Sequence, residues 1–136
     1  MAPEQLKLSA FTFSDDGSML MLGLNDGSVF LYEYSSDSQS FVDTGRNHTA
    51  EIQSKVSSIC FSFDKSYAVI GQITNNFVLW DLYDDSKEVE FDGQFVFSVA
   101  CGFNTNLFAV GGGSGSTSKL SLFKADGENL NFTLVH

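Results

Sequence analysis

The chain repeats itself, and a repeat restricts the architectures open to it more than any composition does. Laid over itself at a shift of 48 residues, Ala10–Tyr34 falls on Ser58–Leu82 without a gap. Phe13 then meets Phe61, Ser14 meets Ser62, Asp16 meets Asp64, Gly23 meets Gly71, Leu31 meets Leu79 and Tyr32 meets Trp80. A looser third copy follows at a shift of 40, placing Cys101, Gly102, Phe103, Asn104 and Gly111 on Phe61, Ser62, Phe63, Asp64 and Gly71. A three-residue insertion then brings Leu79-Trp80 onto Leu122-Phe123. A period of roughly 40–50 residues marks units that cannot bury their apolar faces alone and stack on neighbours to do so. Stacks of this kind present extended binding surfaces.

Within each copy the apolar residues alternate over short runs bounded by turn residues, which is the signature of half-buried strands. The first copy reads as strands over Leu8–Phe13, Met19–Gly23, Val29–Glu33 and Ser40–Thr44. The second reads as Ser57–Phe63, Tyr67–Gly71, Phe77–Asp81 and Glu88–Phe91, and the third as Phe97–Phe103, Leu107–Gly111, Lys119–Phe123 and Leu130–Val135. Asp26-Gly27 between apolar runs is a hairpin signal, because Gly accepts positive φ and Asp closes the turn with its own side chain. Three units of four antiparallel strands account for nearly all of the chain. One proline in 136 residues leaves these runs free to pair, and 14 phenylalanines supply material for a core.

At this point the residues resemble a known family. His48-Thr49, Val56 to Ser62, Gly71 and Leu79-Trp80-Asp81 are similar, in order and spacing, to the WD-repeat β-propeller pattern. The first copy matches it through Phe13 to Gly17, Gly23, Asp26-Gly27 and Tyr32-Glu33; the third matches in outline, with Phe123-Lys124 where Trp-Asp would stand. The resemblance implies an all-β propeller segment of three four-stranded blades, approximately 6–46, 56–92 and 96–136, in one domain. It also implies a bracing set of a His, a strand Ser, a Trp and a turn Asp, which maps here onto His48, Ser58, Trp80 and Asp26. These four are spread over two blades, because Thr74 occupies the turn position in the second and no His precedes the first. Propellers typically have about 4–8 blades, so three leave the ring incomplete. A longer propeller, two copies closing a six-bladed ring, and a partner supplying the missing blades are all open readings.

Charge narrows the partners. Seventeen acidic against seven basic residues give a net charge of −10, which repels nucleic acid and anionic membranes. A cluster at Asp81, Asp84, Asp85 and Glu88 reads as an acidic rim able to steer a basic peptide or protein segment; Asp15, Asp16 and Asp26 extend it. It lacks the alternating ligands and central Gly of a calcium loop. No metal or cofactor site is expected. Gly111 to Lys119 fails the spacing of a phosphate-binding loop and reads as a long flexible hairpin. His48 is the one histidine besides the terminal His136, and the resemblance gives it a structural place, so no catalytic set emerges. Cys60 and Cys101 read as reduced, buried side chains. No apolar run reaches membrane-spanning length and no leader pattern opens the chain, so cytoplasm or nucleus is expected. The expectation is a non-catalytic protein-interaction platform or scaffold. The alternative is an architectural unit completing a ring with itself or with a partner chain.

Overall fold

The structure, a computed structural model, describes residues 7–48, 54–74, 76–82, 86–91, 94–125 and 132–134. Its elements are β1 (Leu8–Phe13), β2 (Met19–Leu24), β3 (Val29–Ser35), β4 (Ser40–His48), β5 (Val56–Phe61), β6 (Tyr67–Gln72), β7 (Asn76–Asp81), β8 (Ser86–Glu90), β9 (Phe95–Cys101), β10 (Leu107–Ser114), β11 (Thr117–Ala125) and β12 (Phe132–Leu134). They form three antiparallel meanders in chain order: β1 to β4, β5 to β8 and β9 to β12. Each repeat of the sequence is therefore one sheet.

The turns explain why the strands end where they do. In the β1–β2 turn the Asp16 carboxylate accepts from Ser14 Oγ (2.8 Å), Ser18 N (2.9 Å) and Ser18 Oγ (2.7 Å). Forty-eight residues on, Asp64 accepts from Ser62 Oγ (2.9 Å), Ser66 N (3.1 Å) and Ser66 Oγ (2.6 Å). Side-chain bonds of this kind satisfy turn amides that have no ladder partner. At the other end of the sheets, Asp26 accepts from Ser28 N (2.9 Å) and Gly27 sits at φ +93°. Thr74 takes the same role in the second sheet, accepting from Asn76 N at 3.3 Å.

The sheets pack face on face. One core joins Met21, Val29 and Leu31 of the first sheet to Ile59, Phe61, Ile70, Val78 and Trp80 of the second. A second joins Val69, Phe77 and Leu79 on the reverse of that sheet to Val99, Phe108, Val110 and Phe123 of the third. Phe77 is wholly buried and lies 5.5 Å from the Phe123 ring and 6.1 Å from that of Phe108. Burying a side chain of this size contributes about 1.5–3 kcal/mol, so the joints between sheets, more than the ladders within them, hold the stack together.

Four sequence expectations change. The glycine-rich stretch is a ladder, not a long loop: β10 and β11 pair from Leu107↔Lys124 through to Ser114↔Thr117, and Gly115 turns the chain at φ +62°. Side chains at Gly112 and Gly113 would strike the backbones of Phe95 and Thr117, so the glycines permit close strand approach here. Cys60 and Cys101 are joined in a disulfide, with Cα atoms 5.7 Å apart across the second joint; the pairing appears only when the sheets stack, because 41 residues separate them in sequence. Phe63 and Phe103 stand in turns instead of strands and meet edge to face at 4.7 Å. Of the phenylalanines read as material for a core, Phe11, Phe13, Phe95 and Phe97 are exposed.

Candidate functional site

The meander topology sends the β1–β2, β3–β4, β5–β6, β7–β8 and β9–β10 connections to one end of the sheets. That end gathers carboxylates far apart in sequence. Asp15 and Asp16 lie in the β1–β2 turn, Glu33 near the close of β3, Asp37 in the β3–β4 turn and Asp64 in the β5–β6 turn. Asp81 closes β7, half-buried and opposite Tyr67 in the ladder. Asp84 and Asp85 lie outside the described residues. Glu88 stands on β8 in register with Val78. Asp26 is at the opposite end, in the β2–β3 turn, so it does not join this rim.

One lysine reaches into the group. Lys65 Nζ donates to Asp16 Oδ2 at 2.6 Å and to Ser18 Oγ at 3.1 Å, tying the first two turns together. The ammonium, helped by the Ser18 and Ser14 donors, holds the Asp16 carboxyl well below the usual carboxylate range. Asp64 is lowered as well, chiefly by the Ser66 hydroxyl. Both therefore stay charged through the neutral range. Tyr67 behaves oppositely: burial, with a contribution from Asp64, pushes its hydroxyl up to about 12.

Aromatic rings stud the same end. The Phe63–Phe103 pair is exposed there, Phe103 by 73%. A shallow depression is lined by Phe13, Tyr34 and Phe41 beside Asp15, Asp16 and Gly17. Phe41 packs on Phe13 at 5.7 Å and on Tyr34 at 5.5 Å. Carboxylates next to open aromatic faces suit a cationic side chain, which gains from both.

The residues expected to brace the blades are distributed more widely. The His48 ring lies 6.3 Å from that of Trp80, across the first joint. Ser58 is not part of that group. Its hydroxyl donates to Val99 O (3.3 Å) and accepts from Val99 N (3.2 Å), while Ser57 Oγ donates to Val96 O (3.0 Å). These serines stitch β5 to β9, a role that sequence spacing did not reveal. Asp26 serves its own turn, as above. Arg46 adds a bond across the first joint, its guanidinium donating to Leu82 O at 2.7 Å. Among the described residues no three His, Cys, Asp or Glu side chains are grouped to hold a metal ion, and no helix is long and apolar enough to cross a membrane.

The arrangement of sheets has counterparts among solved structures. The chain is similar to the β-propeller domain of Cps50 (Swd1) from Myceliophteria thermophila, with a TM-score of 0.67 over 98% of this chain. The fold is three blades of a β-propeller. Identity with that structure is 17%, and the chain spans 41% of its length, so the likeness concerns the fold alone. No family model and no curated protein matches the sequence. The three sheets are consecutive blades, β1 to β4 forming blade one, and the ring is open.

Proposed function

We propose that this chain is a non-catalytic protein-interaction platform of the WD-repeat type, and that its turn-bearing acidic end takes a basic peptide segment. The observation that supports this is the juxtaposition of Asp15, Asp16, Asp64 and Asp81 with the exposed rings of Phe13, Tyr34, Phe63 and Phe103 at one end of all three blades. A net charge of −10 draws a Lys/Arg-rich segment toward that end, and the aromatic faces hold the cations once they arrive. The side-chain inventory points the same way: both cysteines are engaged with each other and His48 stands beside Trp80.

The test is fluorescence titration with a Lys/Arg-rich peptide at low and physiological salt. Binding should weaken as salt rises. It should fall further when Asp84, Asp85 and Glu88 are reversed to Lys together, and when Asp15, fully outside any core, is reversed. No binding at low salt, or binding indifferent to these reversals, rejects the proposal. The architectural reading is favoured by the exposed apolar side chains of Phe11 on blade one and Leu120 on blade three.

A further inference from the structure

The two joints between blades close in the same way but are tied differently at the rim. Strand register sets Thr12 and Phe61 at the first joint where Cys60 and Cys101 stand at the second. Thr12 pairs with Met21 as Cys60 does with Val69, and Phe61 pairs with Ala68 as Cys101 does with Phe108. Thr12 and Phe61 form no covalent link, yet that joint closes around Met21, Leu31, Ile59 and Trp80. A joint in this chain therefore does not depend on a disulfide to form. At the rim, Lys65 Nζ ties the first two turns through Asp16 at 2.6 Å. One blade on, Asp64 takes the place of Asp16 and Thr105 that of Lys65, and Thr105 Oγ1 accepts from Leu107 N in its own turn at 3.2 Å. The ion pair thus has no counterpart at these positions. The second and third turns are joined instead by the Cys60–Cys101 disulfide and, next to it at the rim, by the Phe63–Phe103 ring contact at 4.7 Å.

We infer that this disulfide is a redox latch for the aromatic pair: oxidised, it holds Phe63 against Phe103; reduced, it lets the two turns part. β5 ends at Phe61 and β9 at Cys101, and each strand runs directly into the turn that carries its phenylalanine. The two rings occupy the same position of equivalent turns, just after Ser62 and Gly102. Once the S–S bond is broken, the sulfurs need the spacing of unbonded atoms. Both cysteines pack against the core that contains Val99 and Phe108, so the strand ends give at the rim. Edge-to-face contact holds only over a short range of ring separations, and a small spread there ends the pairing. Further from the rim, the Ser58 hydroxyl bonded both ways to Val99 and the buried rings of Phe77 and Phe108 keep blades two and three together. The change is therefore local. Both cysteines are only partly buried, within reach of a dithiol. Its thiolate attacks one sulfur, the S–S bond breaks and a mixed disulfide forms; its second thiol then displaces the protein sulfur. The reductant leaves as its own disulfide, having given up two electrons, and Cys60 and Cys101 each take up a proton. The consequence for binding rests on the peptide-binding reading above: parting the rings removes a preorganised aromatic surface from the acidic end and weakens its hold on a cationic segment.

The test compares the whole chain oxidised, after reduction by a small dithiol, and as its Cys60→Ser/Cys101→Ser variant. Nuclear magnetic resonance reads the Phe63–Phe103 ring contact, circular dichroism the fold, and fluorescence titration the affinity for a Lys/Arg-rich peptide. The ring contact should be present in the oxidised chain, lost on reduction and regained on reoxidation, with the sheet spectrum kept throughout. Peptide Kd should rise on the order of 5-fold on reduction. The double-serine variant should bind as the reduced chain does and ignore the dithiol. Phe103→Ala, which keeps the disulfide, should bind weakly in both states and lose the redox response. A ring contact unchanged by reduction overturns the inference. So does measurable but equal affinity in the two states. Loss of the sheet spectrum on reduction overturns it too, since that marks a disulfide on which the whole fold depends. Peptide binding in neither state, with a ring contact that still opens on reduction, rejects the peptide reading and supports the latch.

Discussion

The equivalent glycines allow a sharp test of the joints. Replacing Gly23 by Ala puts a Cβ 2.6 Å from Val56 Cγ1, 2.8 Å from Val56 Cβ and 3.1 Å from Ile59 Cδ1. The second of these atoms is anchored to the backbone of β5, so rotation of the valine cannot clear it, and blades one and two must separate. Overpacking of this kind costs about 1–3 kcal/mol. Loss of glycine's freedom in the unfolded chain returns about 0.5–1 kcal/mol. The net expectation is a destabilisation of about 1–2 kcal/mol. At Gly71 the nearest atoms are ends of side chains, Val96 Cγ1 at 2.9 Å and Ser57 Oγ at 3.0 Å, so Gly71→Ala should cost less. At Gly111 nothing lies closer than 3.7 Å, and Gly111→Ala should stabilise by about 0.5–1 kcal/mol. Urea unfolding read by Trp80 fluorescence measures all three. In a thermal melt the Gly23 variant should lie lower by about 4 °C per kcal/mol. Gly23→Ala as stable as the parent, or Gly111→Ala as damaging as Gly23→Ala, refutes the reasoning that the repeat keeps a glycine for the sake of the next blade.

Other expectations follow from particular residues. Reducing the Cys60–Cys101 disulfide, or replacing both cysteines by Ser, frees a closure spanning 41 residues and should lower stability by up to about 4 kcal/mol; two titratable thiols in the native oxidised protein would contradict the pairing. Asp16 and Asp64 have lowered pKa values in the folded chain. Their stabilisation is therefore complete above the unfolded value of about 3.9 and is lost as pH falls through the folded values. Melting temperature should drop steeply below pH 4, and less so in Asp16→Asn. Tyr67 has the opposite sign, since a hydroxyl pushed up to about 12 disfavours ionisation in the fold. Stability should decline as pH rises past the ordinary tyrosine value of about 10, and ultraviolet titration should show one late phenolate that Tyr67→Phe removes.

Much of the candidate site lay open in the sequence as composition but not as a place. Asp81, Asp84, Asp85 and Glu88 read as an acidic rim because they are neighbours along the chain. Asp15, Asp16 and Asp64 join Asp81 only because meandering blades send alternate connections to one end. Phe63 and Phe103 share that end for the same reason, and their contact at 4.7 Å has no local signal.

By itself the sequence determined the units. Alternation sets the strands, Ser-Asp and Asp-Gly turns set the hairpins, and the repeat sets three equivalent sheets, because all of these depend on residues a few positions apart. Tertiary structure decided which faces are covered. Phe11 and Ile59 occupy equivalent positions in one pattern, and one is exposed while the other is buried. The same holds for Gly111 beside Gly23, for the Ser58 hydroxyl that bonds Val99 and not Trp80, and for the cysteines that meet across a joint. Burial is a property of the neighbour as much as of the residue, and a neighbour is supplied only when blades stack.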